Sequence, residues 1–80
     1  MAQEVMQQQM LNEVFSATSH LIQLPYKKMW IDYDKEADVV YISFNRPQKA
    51  TDSKMLDNGI LMRYRDEQIV GITVLDASKR

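Results

Sequence analysis

The hydrophobic period of this chain changes at Pro25, from a spacing that suits a helix to one that suits a strand. Before it, over Ala2–Gln23, Met6, Met10, Val14, Ala17 and Leu21 fall on one side of a helix turning about 100° per residue. Leu11, Phe15 and Ile22 lie directly beside them, and Gln8, Gln9, Asn12, Glu13, Ser16, Ser19 and His20 take the other side. Neither Gly nor Pro interrupts this run until Pro25, whose ring pushes Leu24 out of helical backbone and stops the helix within residues 1–24. A helix lying on one core needs an apolar arc of about 100°, whereas this one spreads over roughly 180°, broken by Gln7 and Thr18. Part of the stripe is expected to cover the chain's own sheet, and the remainder to meet a second surface.

Beyond the connector Pro25–Lys28, apolar residues alternate. Met29–Asp34 and Val39–Phe44 read as a first hairpin around the polar turn Lys35–Asp38, the second strand being dense in β-branched and aromatic residues. Asn45–Asn58 contains Pro47 and little periodicity; it reads mainly as a connection, with room for a short edge strand within Ala50–Met55. Asn58-Gly59 signals a turn, and Ile60–Arg65 and Ile69–Leu75 form a second hairpin around Asp66–Gln68. The last strand is apolar on both faces and is expected at the centre of the sheet, where Gly71 marks a bulge or a close backbone approach. One face gathers Val40, Ile42, Phe44, Ile60, Met62, Val70, Ile72 and Val74 as a core for the helix; the other shows Trp30, Tyr41, Leu61, Ile69 and Leu75. Asp76–Arg80 either starts a helical turn or frays. The expectation is an α+β fold in a single domain of residues 1–80: an N-terminal amphipathic helix, then an antiparallel sheet of about four strands over residues 29–78.

Eighty residues make a thin core, burying only about 60–65% of the surface the unfolded chain exposes. Chains of this size commonly add disulfides, a metal or a partner subunit. With no Cys and one His, disulfides and thiolate metal sites are excluded and a protein-only transition-metal cage is disfavoured, which leaves self-association. A net charge of −1 gives no global attraction to nucleic acid. No run approaches the roughly 20 apolar residues of a membrane span, and no basic-then-apolar leader opens the chain, so the expected location is cytoplasmic.

The densest acidic cluster is Asp32, Asp34, Glu36 and Asp38, a set of hard oxygen donors suited to Ca²⁺ or Mg²⁺. Counted as an EF-hand from Asp32, it places Ala37 where Gly belongs and Ser43 where Glu belongs, so a solvated hairpin turn is the stronger reading. His20, the only imidazole, sits on the polar helix face, no serine lies in a nucleophile elbow, and Gly59 and Gly71 are too isolated to cradle phosphate. An enzyme is not expected, and no cofactor. Arg46, Lys49, Lys54, Arg63 and Arg65 with Trp30 and Tyr41 have the ingredients of a single-strand nucleic-acid surface, but Asp52, Asp57, Asp66 and Glu67 interleave with them. The helix has no Lys or Arg before Lys27 to meet anionic lipid. Met6 and Met10, with Met1 and the Gln7–Gln9 run, form either an adaptable protein-binding face or simple core packing.

The segment YDKEADVVYISF (Tyr33–Phe44), followed by IVGITVLDAS (Ile69–Ser78), resembles the family of domain of unknown function 2283, from a tyrosine-aspartate turn to a closing strand of the GIEIL type. The family usually carries Glu at the position of Thr73, and many members lack a long N-terminal helix, which leaves that helix outside the resemblance. The family has no established activity, so the resemblance implies an order of strands. Because some members sit beside small toxin-like proteins, it also implies at most an antitoxin role. The functional expectation is a non-catalytic interaction module, a homo-oligomer with room for a further protein partner, joined through Met6, Met10, Leu11, Val14, Phe15, Leu21 and Ile22. The alternatives are a small ligand- or divalent-metal-binding protein centred on Asp32–Asp38, or a toxin-neutralising partner.

Overall fold

The computed structural model describes residues 2–80; Met1 lies outside them. The fold is α+β: helix α1 (Ala2–Leu21), then five strands, β1 (Trp30–Asp34), β2 (Val39–Ser43), β3 (Asp52–Met55), β4 (Ile60–Arg65) and β5 (Gln68–Val74), and a closing 3-10 turn over Ala77–Lys79. The sheet is antiparallel throughout, in the order β1-β2-β5-β4-β3. β5 occupies the centre, as its two apolar faces required. The fifth strand, β3, lies within Ala50–Met55, where charge and exposure hide the alternation expected of a strand: all four of its residues are exposed on the sheet edge.

Pairing fixes the two faces. On the first, Ile31 sits beside Ile42, Ile42 beside Ile72, and Ile72 beside Met62; the neighbouring row runs Tyr33, Val40, Val74, Ile60. On the second, Tyr41, Thr73 and Leu61 stand side by side. A bulge at Arg63/Tyr64 shifts the β4–β5 register. At Gly71 a Cβ would collide with the Gln48 side-chain amide and lie 3.1 Å from the Ile42 carbonyl oxygen, so the close-approach reading of this glycine holds, while the bulge falls one residue away, where Val70 has no partner in β4. The connection from β2 to β3 has to cross to the far edge of the sheet, and Gln48 rides over β5 at the one residue without a side chain.

The expected helix-on-sheet core is not formed. Among the described residues α1 makes no extensive contact with a strand, and the molecule is drawn out to 50 × 27 × 21 Å. Of the residues assigned to the core face, only Phe44 and Val70 are buried; Val40, Ile42, Ile60, Met62, Ile72 and Val74 remain half-exposed. The reason lies in the connector. Pro25 ends the helix, whose last turn tightens through Gln23 N–H to His20 carbonyl and Leu24 N–H to Leu21 carbonyl bonds, both 3.1 Å. The ring of Tyr26 then stacks on Phe44, with centroids 3.9 Å apart and planes 9° from parallel. Only Ile22–Pro25 separate the helix from that anchor, and across them α1 runs away from the sheet and does not fold back over it.

Candidate interaction surface

α1 holds no Gly or Pro and places Glu4 in its first turn and His20 in its last, in keeping with the helix dipole. Every residue from Gln3 to His20 is exposed. Met6 and Phe15 are each 67% exposed, Met10 59%, Val14 51% and Ile22 76%. Leu11 is exposed as well, and Leu21 is half-buried at the elbow. Two apolar residues that the stripe left out, Val5 and Leu24, are exposed too; Val5 falls among Asn12 and Ser16 on the polar side of the helix, and Leu24 lies beyond its end. The polar side carries local bonds, from Gln8 Nε2 to Asn12 Oδ1 (3.1 Å) and from Ser19 Oγ to the Ser16 carbonyl (2.8 Å), and within the stripe the Thr18 hydroxyl donates to the Val14 carbonyl (2.7 Å). Where the helix meets the connector, Leu21, Ile22, Leu24, Tyr26 and Met29 line an open apolar hollow.

The chemistry-bearing residues of the sheet are engaged in holding the sheet. Asp38, in left-handed backbone at φ 56°, accepts the Tyr33 hydroxyl (2.8 Å), the Ser78 backbone N–H (3.0 Å) and the Ser78 hydroxyl (2.8 Å). Its carbonyl accepts Ala77 N–H at 2.9 Å. The bonds from Ser78 and Tyr33 hold the Asp38 carboxyl below its ordinary pKa, and Asp38 in turn pushes the Tyr33 phenol up. Asp34 Oδ1 accepts Ala37 N–H inside the same turn (3.2 Å). Two of the four carboxylates proposed from sequence as ligands are thus committed to the turn, and among the described residues no three His, Asp or Glu side chains are placed to hold a metal ion. Above β5, Gln48 donates to Ser43 Oγ (2.7 Å) and accepts from Arg63 Nε (3.1 Å). This occupies one of the basic residues; the register puts Arg63 on the face of Trp30 and Tyr41, and Lys54 on the opposite, Met62 face.

A family model described as protein of unknown function (DUF2283) matches residues 30–78. The chain belongs to this family. The DUF2283 region begins at the first residue of β1 and ends at Ser78, so it contains the whole sheet and both partners of the Asp38–Ser78 contact. The two motifs that carry the resemblance, far apart in sequence, meet in space through that contact. α1 and the elbow lie outside the match. No curated protein and no solved structure matches the chain. Thr73 is only 8% exposed, so a carboxylate at that position would be taken out of water among Tyr41 and Leu61.

The sequence brought out the helix stripe but not the Tyr33–Asp38–Ser78 contact, the Gln48 bridge or the Tyr26–Phe44 stack. The first had a signal: Asp38 and Ser78 sit in the two motif segments, and a shared contact is a physical reason for such segments to occur together. Gln48 and Tyr26 lie in irregular connections, where periodicity carries no information.

Proposed function

We propose that this DUF2283 chain is a non-catalytic interaction module that works as a homo-oligomer, joined through the apolar face of α1. One observation carries the reading: a helix of 20 residues stands with all its side chains from Gln3 to His20 in solvent. Helices in isolation are marginal in water at about 12–15 residues even when alanine-rich, and most helical stability in proteins comes from packing an apolar face. α1 has four Gln against two Ala, and its own sheet gives it no extensive packing. A second protein surface supplies what is missing. Met6 and Met10 give that surface side chains that adapt to an irregular partner, and Phe15 gives it a large rigid one.

The non-catalytic reading is supported by the Asp38 and Gln48 clusters, whose side chains among the described residues spend their hydrogen bonds on the fold. Among the described residues no helix is long and apolar enough to cross a membrane. Sedimentation equilibrium at micromolar concentration, with far-ultraviolet circular dichroism over a dilution series, tests the proposal. The expected result is a dimer or larger species whose helical signal falls as it dissociates. A monomer that keeps its helix on dilution overturns it.

A further inference from the structure

Two apolar surfaces of this chain lack a cover, and they match. One is the stripe of α1. The other is the sheet face that carries Ile31, Ile42, Ile72 and Met62 in one row and Val40 and Val74 in the next, with Ile31 50% exposed and the central residues half-exposed. A helix of 20 residues is about 30 Å long and about 10 Å wide. Five strands about 4.8 Å apart make a face about 19 Å across, and strands of this length run about 20 Å, so the diagonal of the face is close to the length of the helix. The anchored elbow keeps the two surfaces of one chain apart.

We infer that α1 of one chain lies across the Ile31–Ile42–Ile72–Met62 face of a second copy, whose own α1 returns the contact. The inference rests on the homo-oligomer proposed above and names its geometry. Such an exchange is isologous, with the same pair of patches used twice, and it closes at two copies. Each helix footprint is on the order of 300 Å² on helix and sheet alike. The two reciprocal contacts therefore bury about 1,200 Å², the lower bound for a stable specific interface, before side-chain interdigitation adds to it. Helix-to-helix pairing alone would cover each stripe once and leave both sheet faces wet. The exchange covers all four surfaces. It also needs no reversal of the chain at Ile22–Pro25, which packing within one chain would require. A short anchored linker of this kind is the setting in which elements are swapped between copies.

Because the chain has no Cys, single cysteines report contacts cleanly. One preparation carries Val14→Cys and a second carries Ile72→Cys; the two are mixed in denaturant, refolded together and treated with a short bismaleimide. A third preparation with Ile31→Cys replaces the second in a parallel run, since Ile31 is exposed on an edge strand and its substitution leaves the central strand intact. The expected product joins one chain of each kind, in excess over Val14→Cys chains joined to each other. Light scattering of the unmodified chain separates the two levels of failure. A dimer that cross-links only between Val14→Cys chains, only within a Val14→Cys/Ile72→Cys double variant, or in no combination overturns the exchange and leaves the homo-oligomer standing. A monomer overturns both.

Discussion

Asp38 alone gathers three side-chain hydrogen bonds from Tyr33 and Ser78, while along α1 every side chain from Gln3 to His20 faces water. The sheet is closed by contacts that the chain makes with itself: the Gln48 bridge over Gly71, the Tyr26–Phe44 stack and the 3-10 turn tied back to Asp38. Among the described residues, the side-chain hydrogen bonds of the helix all lie within its own turns. The boundary between these regimes nearly coincides with the boundary of the family match at residue 30. Within the matched region the sheet is held together by its own contacts; outside it stands a helix with little contact to that sheet. Even the sheet is incomplete by itself, since only Val39, Phe44 and Val70 are buried apolar residues. A core this small sets a low ceiling on the stability of one copy.

The comparison breaks most readily at Phe15. Phe15→Asp puts a carboxylate on the widest part of the stripe without touching any strand. Assembly should weaken by about 100-fold or more, the scale of losing an interface anchor, and the helical signal should fall with it. Sedimentation velocity reads the first effect and circular dichroism the second. An unchanged dissociation constant would mean that the exposed stripe is not the joining surface. The next test lies wholly within the sheet. Gly71→Ala drives a methyl group into the Gln48 amide and should cost about 1–3 kcal/mol in urea unfolding. Adding Gln48→Ala should recover part of that loss but not all, because the Ile42 carbonyl still stands 3.1 Å from the new carbon. Full recovery would show that the backbone had room to spare.

The sequence was legible where side chains repeat and opaque where they act singly. α1, β1, β2, β4 and β5 followed from spacing, and the central place of β5 from its two apolar faces. β3 was readable only as a possibility within Ala50–Met55, because an exposed edge strand of Asp, Ser, Lys and Met has no apolar face to alternate. The width of the helical stripe led to the expectation of a second contact, and the structure of one chain shows the stripe exposed along nearly its whole length. The assumption that part of it would fold onto the chain's own sheet failed, since a hydrophobic pattern records that a face is to be covered and not which copy covers it. That information sits in Pro25 and Tyr26, two residues whose effect is geometric. Of the residues expected at the interaction surface, the structure presents Met6, Met10, Leu11, Val14, Phe15 and Ile22 to solvent and tucks Leu21 partly into the elbow.

A smaller effect is expected at the β4–β5 turn, where Asp66 and Glu67 both hold positive φ, 50° and 73°. Two-residue hairpin turns of this hand favour Asn or Asp followed by Gly, because a left-handed residue other than glycine costs about 1–2 kcal/mol. Glu67→Gly relieves that strain and returns part of the gain as extra freedom of the unfolded chain. Urea unfolding should show a net stabilisation of about 0.5–1 kcal/mol with assembly unchanged. A loss of stability would show that the Glu67 side chain holds the turn.

The smallest expected effect is also the one that separates the two regions most cleanly, because it follows protons confined to the sheet. Ser78 and Tyr33 hold the Asp38 carboxyl below its ordinary value of 3.8, so the stabilisation from this contact is present above that value and is lost as pH falls through the lowered one. Tyr33 is shifted the other way, above 10.0, chiefly by its bond to Asp38; its contribution is present below pH 10 and is lost as pH rises through the raised value. Both groups are in contact with water, so the changes in melting temperature should be slight. Ser78→Ala removes the hydroxyl that contributes most to the shift, and carbon-detected NMR should show Asp38 titrating closer to 3.8 than in the parent chain. The acid-side loss of stability should shrink accordingly, while α1 resonances, which belong to an element with no packing contact to this turn, should follow the same pH course in both proteins. A shift in the α1 profile on Ser78→Ala would mean that the state of the closing turn reaches the helix, and the division between a self-contained sheet and an externally partnered helix would fail at that point.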